Sequence, residues 1–230
     1  MLTLTHYRLC PFSRSIRLAL DELGLEAALV EEPAWEWRQA FLALNPSGEL
    51  PVLQLAENIT LAGVYAISEF LAEEPPMPGA LRGRELLPRT REDRAEARRL
   101  IDWFHRKFDR EVSRDLMNEK LYRRLADASA APPDTELMRA LRANMRYHLG
   151  YIGFLADQRR WLAGDDLTFA DLAAAGQLSS LDYLGEVPWS DFPAAKAWYV
   201  RLKSRKSFRS LLADRITGFA PPPDYANLDF

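Results

Sequence analysis

The run Cys10-Pro11-Phe12-Ser13 sets a thiol at the start of a helix. Helix N-termini present unpaired amide N–H groups and the positive end of the dipole, which favour an anion. A thiol so placed has its pKa lowered, and the thiolate is the nucleophile. The spacing matches a redox Cys-x-x-Cys with Ser13 at the second position. The competing reading is a small apolar residue packed beneath the helix, because free cysteine is among the most buried types. A second chemical feature is Leu50-Pro51, between the turn dipeptides Asn45-Pro46 and Ser47-Gly48 and the apolar run Val52-Leu53-Gln54-Leu55. X–Pro is the only bond where cis is cheap, so Pro51 is a candidate cis residue. Proline is tolerated at a strand's first position. There it leaves the Leu50 backbone unpaired by any strand, free to pair with a ligand or another chain. His6, His105 and His148 are scattered, and no His/Cys/carboxylate cluster has metal-ligand spacing. No Gly-rich phosphate loop is present.

These residues need elements to hold them. Leu2–Tyr7 alternates and reads as a strand. Ile16, Leu20 and Leu23 share one face of the helix after Cys10, and Gly24 stops it. Ala27–Glu31 is a strand, and Trp35–Leu44 a helix carrying Trp37 and Phe41 one turn apart. Pro51–Leu55 and Ile59–Leu61 are strands, and Val64–Ala72 is a helix. This βαβαββα order implies a mixed sheet with helices on its faces. Glu74–Pro88, rich in Pro and Gly, is a linker. Beyond it everything reads helical. Thr90 caps a long helix with a core stripe of Ala97, Ile101, Phe104, Phe108, Val112 and Leu116. Asp134 opens a helix whose Leu137, Leu141, Met145, His148, Ile152 and Leu155 share a face. Thr168 caps a third, with Asp171 reaching back. Pro193–Ser204 and Ser207–Leu212 complete the domain.

The bulk numbers exclude whole classes. The chain has 230 residues with 48% hydrophobic and 27% charged content, as a globular protein does. A net charge of −3 gives no basic excess for nucleic acid. The single cysteine permits no internal disulfide, which fits a reducing compartment. The N-terminal residues lack a signal peptide's basic and apolar regions. No apolar run is long enough to span a bilayer. A cytoplasmic protein without membrane insertion is the expectation.

Leu44-Asn45-Pro46-Ser47-Gly48-Glu49-Leu50-Pro51-Val52-Leu53 resembles the cis-proline loop of the glutathione transferase superfamily. Leu162 to Asp171 resembles the signature of that family's helical domain. The resemblance spans about residues 1–215. It implies a thioredoxin-like α/β domain over 1–73, a linker over 74–88, an all-α domain over 89–215 and an extended tail over 216–230. It also implies that Leu50 and Pro51 border a glutathione-like pocket, with Leu50 pairing to the cysteinyl backbone. In cysteine-type members the residue matching Cys10 forms mixed disulfides with glutathione, and in tyrosine-type members a residue in the Tyr7 region activates the thiol. Family members bind the γ-glutamyl end with an acid and a serine before the third helix. Here those positions are Gly63 and Val64, within an otherwise intact frame, Ala66-Ile67-Ser68-Glu69-Phe70-Leu71. A lost charged hydrogen bond is worth about 1.5–3 kcal/mol. The fold's frame is therefore kept while the clamp is missing.

Two stretches point to a protein partner. Trp35, Trp37 and Phe41 crowd seven residues, and Trp is enriched in binding hot spots. The tail Gly218–Phe230 is proline-rich with apolar Tyr225, Leu228 and Phe230. It packs on its own body or meets a partner. "EEPAWEWRQAFLALNPSGELPVL", "WFHRKFDREVSRDLMNEKL", "LSSLDYLGEVPW" and the terminal "YANLDF" resemble a branch of the superfamily, the FtsZ-localised FzlA-like proteins of alphaproteobacteria. That resemblance implies a non-enzymatic cytoplasmic homodimer at the division site. It would bind FtsZ filaments, alter their curvature or bundling and couple them to septal wall synthesis, with no cofactor. Expected partner-binding residues are Trp35, Trp37, Phe41, Arg114, Glu119, Asp229 and Phe230. The alternative is a glutathione-dependent transferase or thiol reductase using Cys10 and Ser13.

Overall fold

The computed structural model describes residues 2–55, 59–73, 78–81, 83 and 85–228. Four strands form one sheet: β1 (Leu2–His6), β2 (Ala27–Glu31), β3 (Val52–Gln54) and β4 (Thr60–Ala62), in the order β2-β1-β3-β4. β1 runs parallel to β2, with Leu4 opposite Leu29, and antiparallel to β3, with Leu4 opposite Leu53. β3 and β4 pair antiparallel. The sheet carries helices α1 (Pro11–Leu23), α2 (Gln39–Leu44) and α3 (Val64–Ala72). Gly24, at φ 68, ends α1 in the left-handed conformation that glycine adopts at little cost.

The expected helix over 35–44 is broken. Ala34–Glu36 forms one 3-10 turn, Trp37 takes φ 50, and α2 starts only at Gln39. Trp37 and Phe41 therefore do not form one ridge. Glu32, almost buried, accepts two hydrogen bonds from the Arg38 guanidinium at 2.9 and 2.5 Å, which pins this loop beneath β2.

The helical part starts with α4, a continuous helix over residues 91–126 that widens to π-type pairing over Trp103–Ser113 and Asn118–Tyr122. Thr90 caps it, its hydroxyl accepting from the Asp93 amide at 3.1 Å. The stripe read from sequence, Ala97 through Leu116, is buried throughout. Then follow α5 (Thr135–Gln158), α6 (Phe169–Tyr183), α7 (Pro193–Lys203) and α8 (Arg209–Leu212). α6 is buried on every side. Its capping pair is as expected: Asp171 accepts from the Thr168 amide and also from the Leu162 amide and the Trp198 indole, at 3.1, 2.9 and 3.0 Å.

α1 lies directly against α6, which joins the two halves. Only glycine fits at 176: a Cβ there would sit 2.5 Å from the Pro11 carbonyl oxygen and 2.9 Å from the Ser15 nitrogen. A buried ionic knot adds to this contact. Arg14 and Arg17 of α1 donate to Asp214, beyond α8, at 3.0 and 2.8 Å.

The tail is not simply extended. It closes a small turn, Ile216–Phe219, and then a 3-10 turn, Pro223–Ala226. Tyr225 is buried against Tyr183, takes a hydrogen bond from Arg14 at 3.1 Å and donates to the Leu211 carbonyl at 3.2 Å. The tail thus clamps onto its own body up to Leu228, whose side chain is exposed. Asp229 and Phe230, expected to meet a partner, lie outside the described residues.

Candidate functional site

A cleft of about 920 Å³ opens between the sheet domain and α4. One wall carries Tyr7, Cys10–Phe12, Trp35, Trp37, Gly48–Leu50 and Gly63–Tyr65; the other carries Asp109, Ser113–Asp115, Met117, Asn118 and Tyr122. The second wall is supplied by the widened part of α4, and π-type turns are frequent at functional sites. Of the sequence-predicted residues, the fold brings Cys10, Leu50, Gly63, Val64, Trp35, Trp37 and Arg114 to this one cavity.

The cis-proline loop is built as expected. Leu50–Pro51 is cis. Asn45 holds the loop, its side-chain amide donating to the Glu49 carbonyl at 2.8 Å and its carbonyl accepting from the Ser47 amide. Among the described residues, no hydrogen bond is made by the Leu50 backbone. Leu50 lines the cleft, so its N–H and C=O are an unused donor and acceptor at the cleft wall.

Of the two readings of Cys10, the structure supports the packed one over the activated thiol. It stands at the N-cap of α1, yet it is buried, and burial pushes the thiol's pKa up against the smaller pull of its hydrogen bonds to Ser13. Desolvation penalises the thiolate more than the helix end favours it. Ser13 is itself fully buried and its hydroxyl accepts from the Tyr7 amide at 3.4 Å. Burial also raises the Tyr7 hydroxyl well above its ordinary range. Nothing here prepares a thiolate at neutral pH.

At the missing clamp, Gly63 has φ 88 and heads α3, and no atom lies within 4 Å of where its Cβ would sit. Val64 is buried and apolar. The charges around the cleft compound this loss. Glu49, Asp109 and Asp115 face it with Arg114 as their cation. Glutathione is net negative, so a net acidic cleft repels it. Titration calorimetry with reduced glutathione should show no binding tighter than about 1 mM; a low-micromolar Kd would contradict this reading of Gly63 and Val64.

Sequence reasoning missed two cleft residues. Tyr122 stacks on Trp35, with ring centroids 5.5 Å apart, and Tyr7 meets Trp35 edge-on at 4.7 Å. Asp109 follows the core residue Phe108 and is half-buried in the same wall. Burial pushes its carboxyl up to about 6; Arg114 opposes this, while Asp115 and Glu49 add to it. Its ionised form is disfavoured in the folded state. The penalty is absent below the usual carboxylate range, builds as pH rises towards about 6 and is full above it. Asp109→Asn should therefore stabilise the fold at pH 7 by about 2–3 kcal/mol, with no gain at pH 3.5. Urea melts of both proteins at the two pH values check this.

The expected partner residues separate. Trp37 is 61% exposed, its ring lying over Gly48, and Trp35 is partly buried in the aromatic wall. Arg114 is exposed and 3.6 Å from Asp115. Two expectations fail. Phe41 is only 3% exposed, because α2 starts late and turns it into the core. Glu119 is also buried: it accepts from Arg123 at 2.6 Å and from the Asp134 amide at 3.0 Å, tying α4 to the start of α5. Both are structural.

The histidines are structural too. Burial lowers His6 to about 4, helped by nearby Arg17, and His105 to about 3. His148 accepts from the Trp103 indole at Nδ1, 3.1 Å, so its Nε2–H donates to Glu111. Among the described residues no group of three His, Cys, Asp or Glu could hold a metal ion, and no helix is long and apolar enough to cross a membrane.

Residues 9–74 match the glutathione S-transferase N-terminal domain, and residues 116–206 match its C-terminal domain. The chain is 47% identical to FtsZ-localized protein A of Caulobacter vibrioides over 99% of its own length and 98% of the relative's. The solved structure of FzlA from C. crescentus superposes with a TM-score of 0.93 at 46% identity, covering 100% of this chain and 99% of that one. A structure described as a glutathione S-transferase from Rhodospirillum rubrum F11 matches equally, with a TM-score of 0.93, 48% identity and full coverage of both chains. With its four-stranded sheet domain, its helical domain and these matches, the chain belongs to the glutathione S-transferase family, in the branch that includes FtsZ-localized protein A.

Proposed function

We propose that this chain acts in cell division as an FtsZ-associated protein that uses the transferase fold as a scaffold, not as a thiol transferase. The observation that carries this is the near-full-length similarity to FtsZ-localized protein A. The cleft supports it from chemistry: the thiol's pKa is raised, the clamp is Gly63 and Val64, and the charge opposes glutathione. The partner surface is the cleft rim, with Trp37 at its apex and Trp35 and Arg114 beside it. Trp37 is a bulky residue at positive φ, a conformation that costs on the order of 1 kcal/mol or more and clusters at functional sites. On this reading the protein bends or bundles filaments and passes their state to septal wall synthesis. A fluorescent fusion should form a band at the division site that vanishes on FtsZ depletion; a diffuse signal in dividing cells would contradict the proposal.

The same reading includes a symmetric homodimer. Tyr65 of α3 is exposed and bonds Asp102 of α4 at 3.3 Å, and Glu69 pairs with Arg98 at 2.7 Å. These contacts make α3 and α4 one continuous face, suited to a self-complementary two-fold contact. Light scattering at micromolar concentration should give about twice the 26.3 kDa chain mass; a monomer would argue against it.

A further inference from the structure

We propose that the cleft receives the cationic side chain of an arginine or lysine from an extended peptide, with Asp109 as its counter-ion and Trp35 and Tyr122 as its aromatic bed. The inference rests on reading the cleft as a protein-docking site, not a thiol-transfer site.

The charge pattern comes first. Three carboxylates, Glu49, Asp109 and Asp115, share the cleft with one guanidinium, Arg114. Arg114 forms its ion pair with Asp115, at 3.6 Å, and its field only partly offsets the burial of Asp109, so three carboxylates share one cation. Among the described residues the Asp109 carboxylate has no hydrogen bond or ion pair, although the residue is half-buried. A half-buried, unpaired carboxylate weakens the fold, and such groups concentrate at functional sites. It lacks a partner that an incoming cation would supply.

The aromatic wall favours the same ligand. Trp35 and Tyr122 stack at 5.5 Å, Tyr7 abuts Trp35, and Phe12 and Trp37 also line the cleft. Aromatic faces attract ammonium and guanidinium groups, more strongly when partly desolvated. A carboxylate beside stacked rings is the pairing that selects a cation over a neutral group of equal shape.

The cleft's size and backbone make the ligand a peptide. About 920 Å³ exceeds the volume of one side chain and lies in the range of drug-sized pockets. The unused N–H and C=O of Leu50 offer one main-chain pairing site on the opposite wall. An extended strand paired there directs alternate side chains to one side.

The test uses the full-length protein and capped tripeptides, with tryptophan fluorescence and calorimetry as readouts. Acetyl-Ala-Arg-Ala-amide and its lysine counterpart should bind saturably. The citrulline analogue keeps the shape of arginine without its charge and should bind at least tenfold more weakly, and the glutamate analogue not at all. Asp109→Asn should lower arginine-peptide affinity at least tenfold and leave the citrulline peptide unchanged. Equal binding of arginine and citrulline peptides, or an Asp109→Asn variant that binds arginine peptide like wild type, would overturn the proposal. So would spermidine binding as tightly as the arginine peptide, since that would make the ligand a free amine. No FtsZ is present in this assay. Failure here with filament association intact would remove only the cation site, and success without filament association would remove only the division role.

Discussion

Asp214→Ala should destabilise the protein by about 3–5 kcal/mol, because it strands two buried cations. The Arg14 side chain is completely buried and that of Arg17 nearly so. Asp214 serves both: it takes one bond from Arg14 at 3.0 Å and two from Arg17, at 2.8 and 3.2 Å. The other bonds of Arg14, to the Arg8 and Leu211 carbonyls and to Tyr225, are to neutral groups and cannot balance its charge. For a chain of this size the loss corresponds to a melting temperature lower by roughly 6–20 °C. The damage should spread to the tail, since Arg14 also holds Tyr225. Limited proteolysis should then cut near residues 216–226 well before the body is digested. A melting point within a degree or two of wild type would show that water reaches this site and screens it.

Trp37→Ala should weaken association with FtsZ filaments by at least about 2 kcal/mol, roughly thirtyfold, while changing stability by no more than about 0.5 kcal/mol. The asymmetry follows from exposure. Trp37 is 61% exposed, and its ring packs over the Gly48 turn and not in the core. Phe41→Ala supplies the contrast. That ring is in the core, so its removal should cost about 3–5 kcal/mol of stability. Thermal melts with equilibrium pelleting distinguish the two. Full binding by a folded Trp37→Ala variant would remove the cleft rim as the filament surface.

The sequence made the sheet, the long α4 stripe and the Thr168–Asp171 cap legible because each is written in local spacing. Residues three or four apart recur on one helix face, and a cap needs only its own first turn. The cis-proline loop was legible for the same reason, being a turn chemistry of ten consecutive residues. The helix drawn through Trp35–Leu44 was not: helical spacing fits Trp37 and Phe41, but the left-handed Trp37 backbone interrupts it. That conformation is held by Glu32–Arg38 and by the Gly48 turn, outside the segment. Cys10 carries two readings in the sequence, and no local pattern chooses between them. The helix N-terminus is visible in sequence, whereas the burial whose desolvation outweighs it exists only in the folded chain. Glu119 looked like part of a surface charge run because its second partner, the Asp134 amide, lies across a loop. The Arg14–Asp214–Tyr225 knot joins residues about two hundred positions apart, and no local pattern encodes such a pairing.

Pelleting with GTP-polymerised FtsZ, run beside a glutathione-resin binding test on one preparation, is the most direct measurement of what this transferase fold is used for. The protein should co-sediment saturably with the filaments, stay in the supernatant without them, and pass through the resin unretained. Retention on the resin with no co-sedimentation would contradict the division role and return Cys10 to consideration as a catalytic thiol.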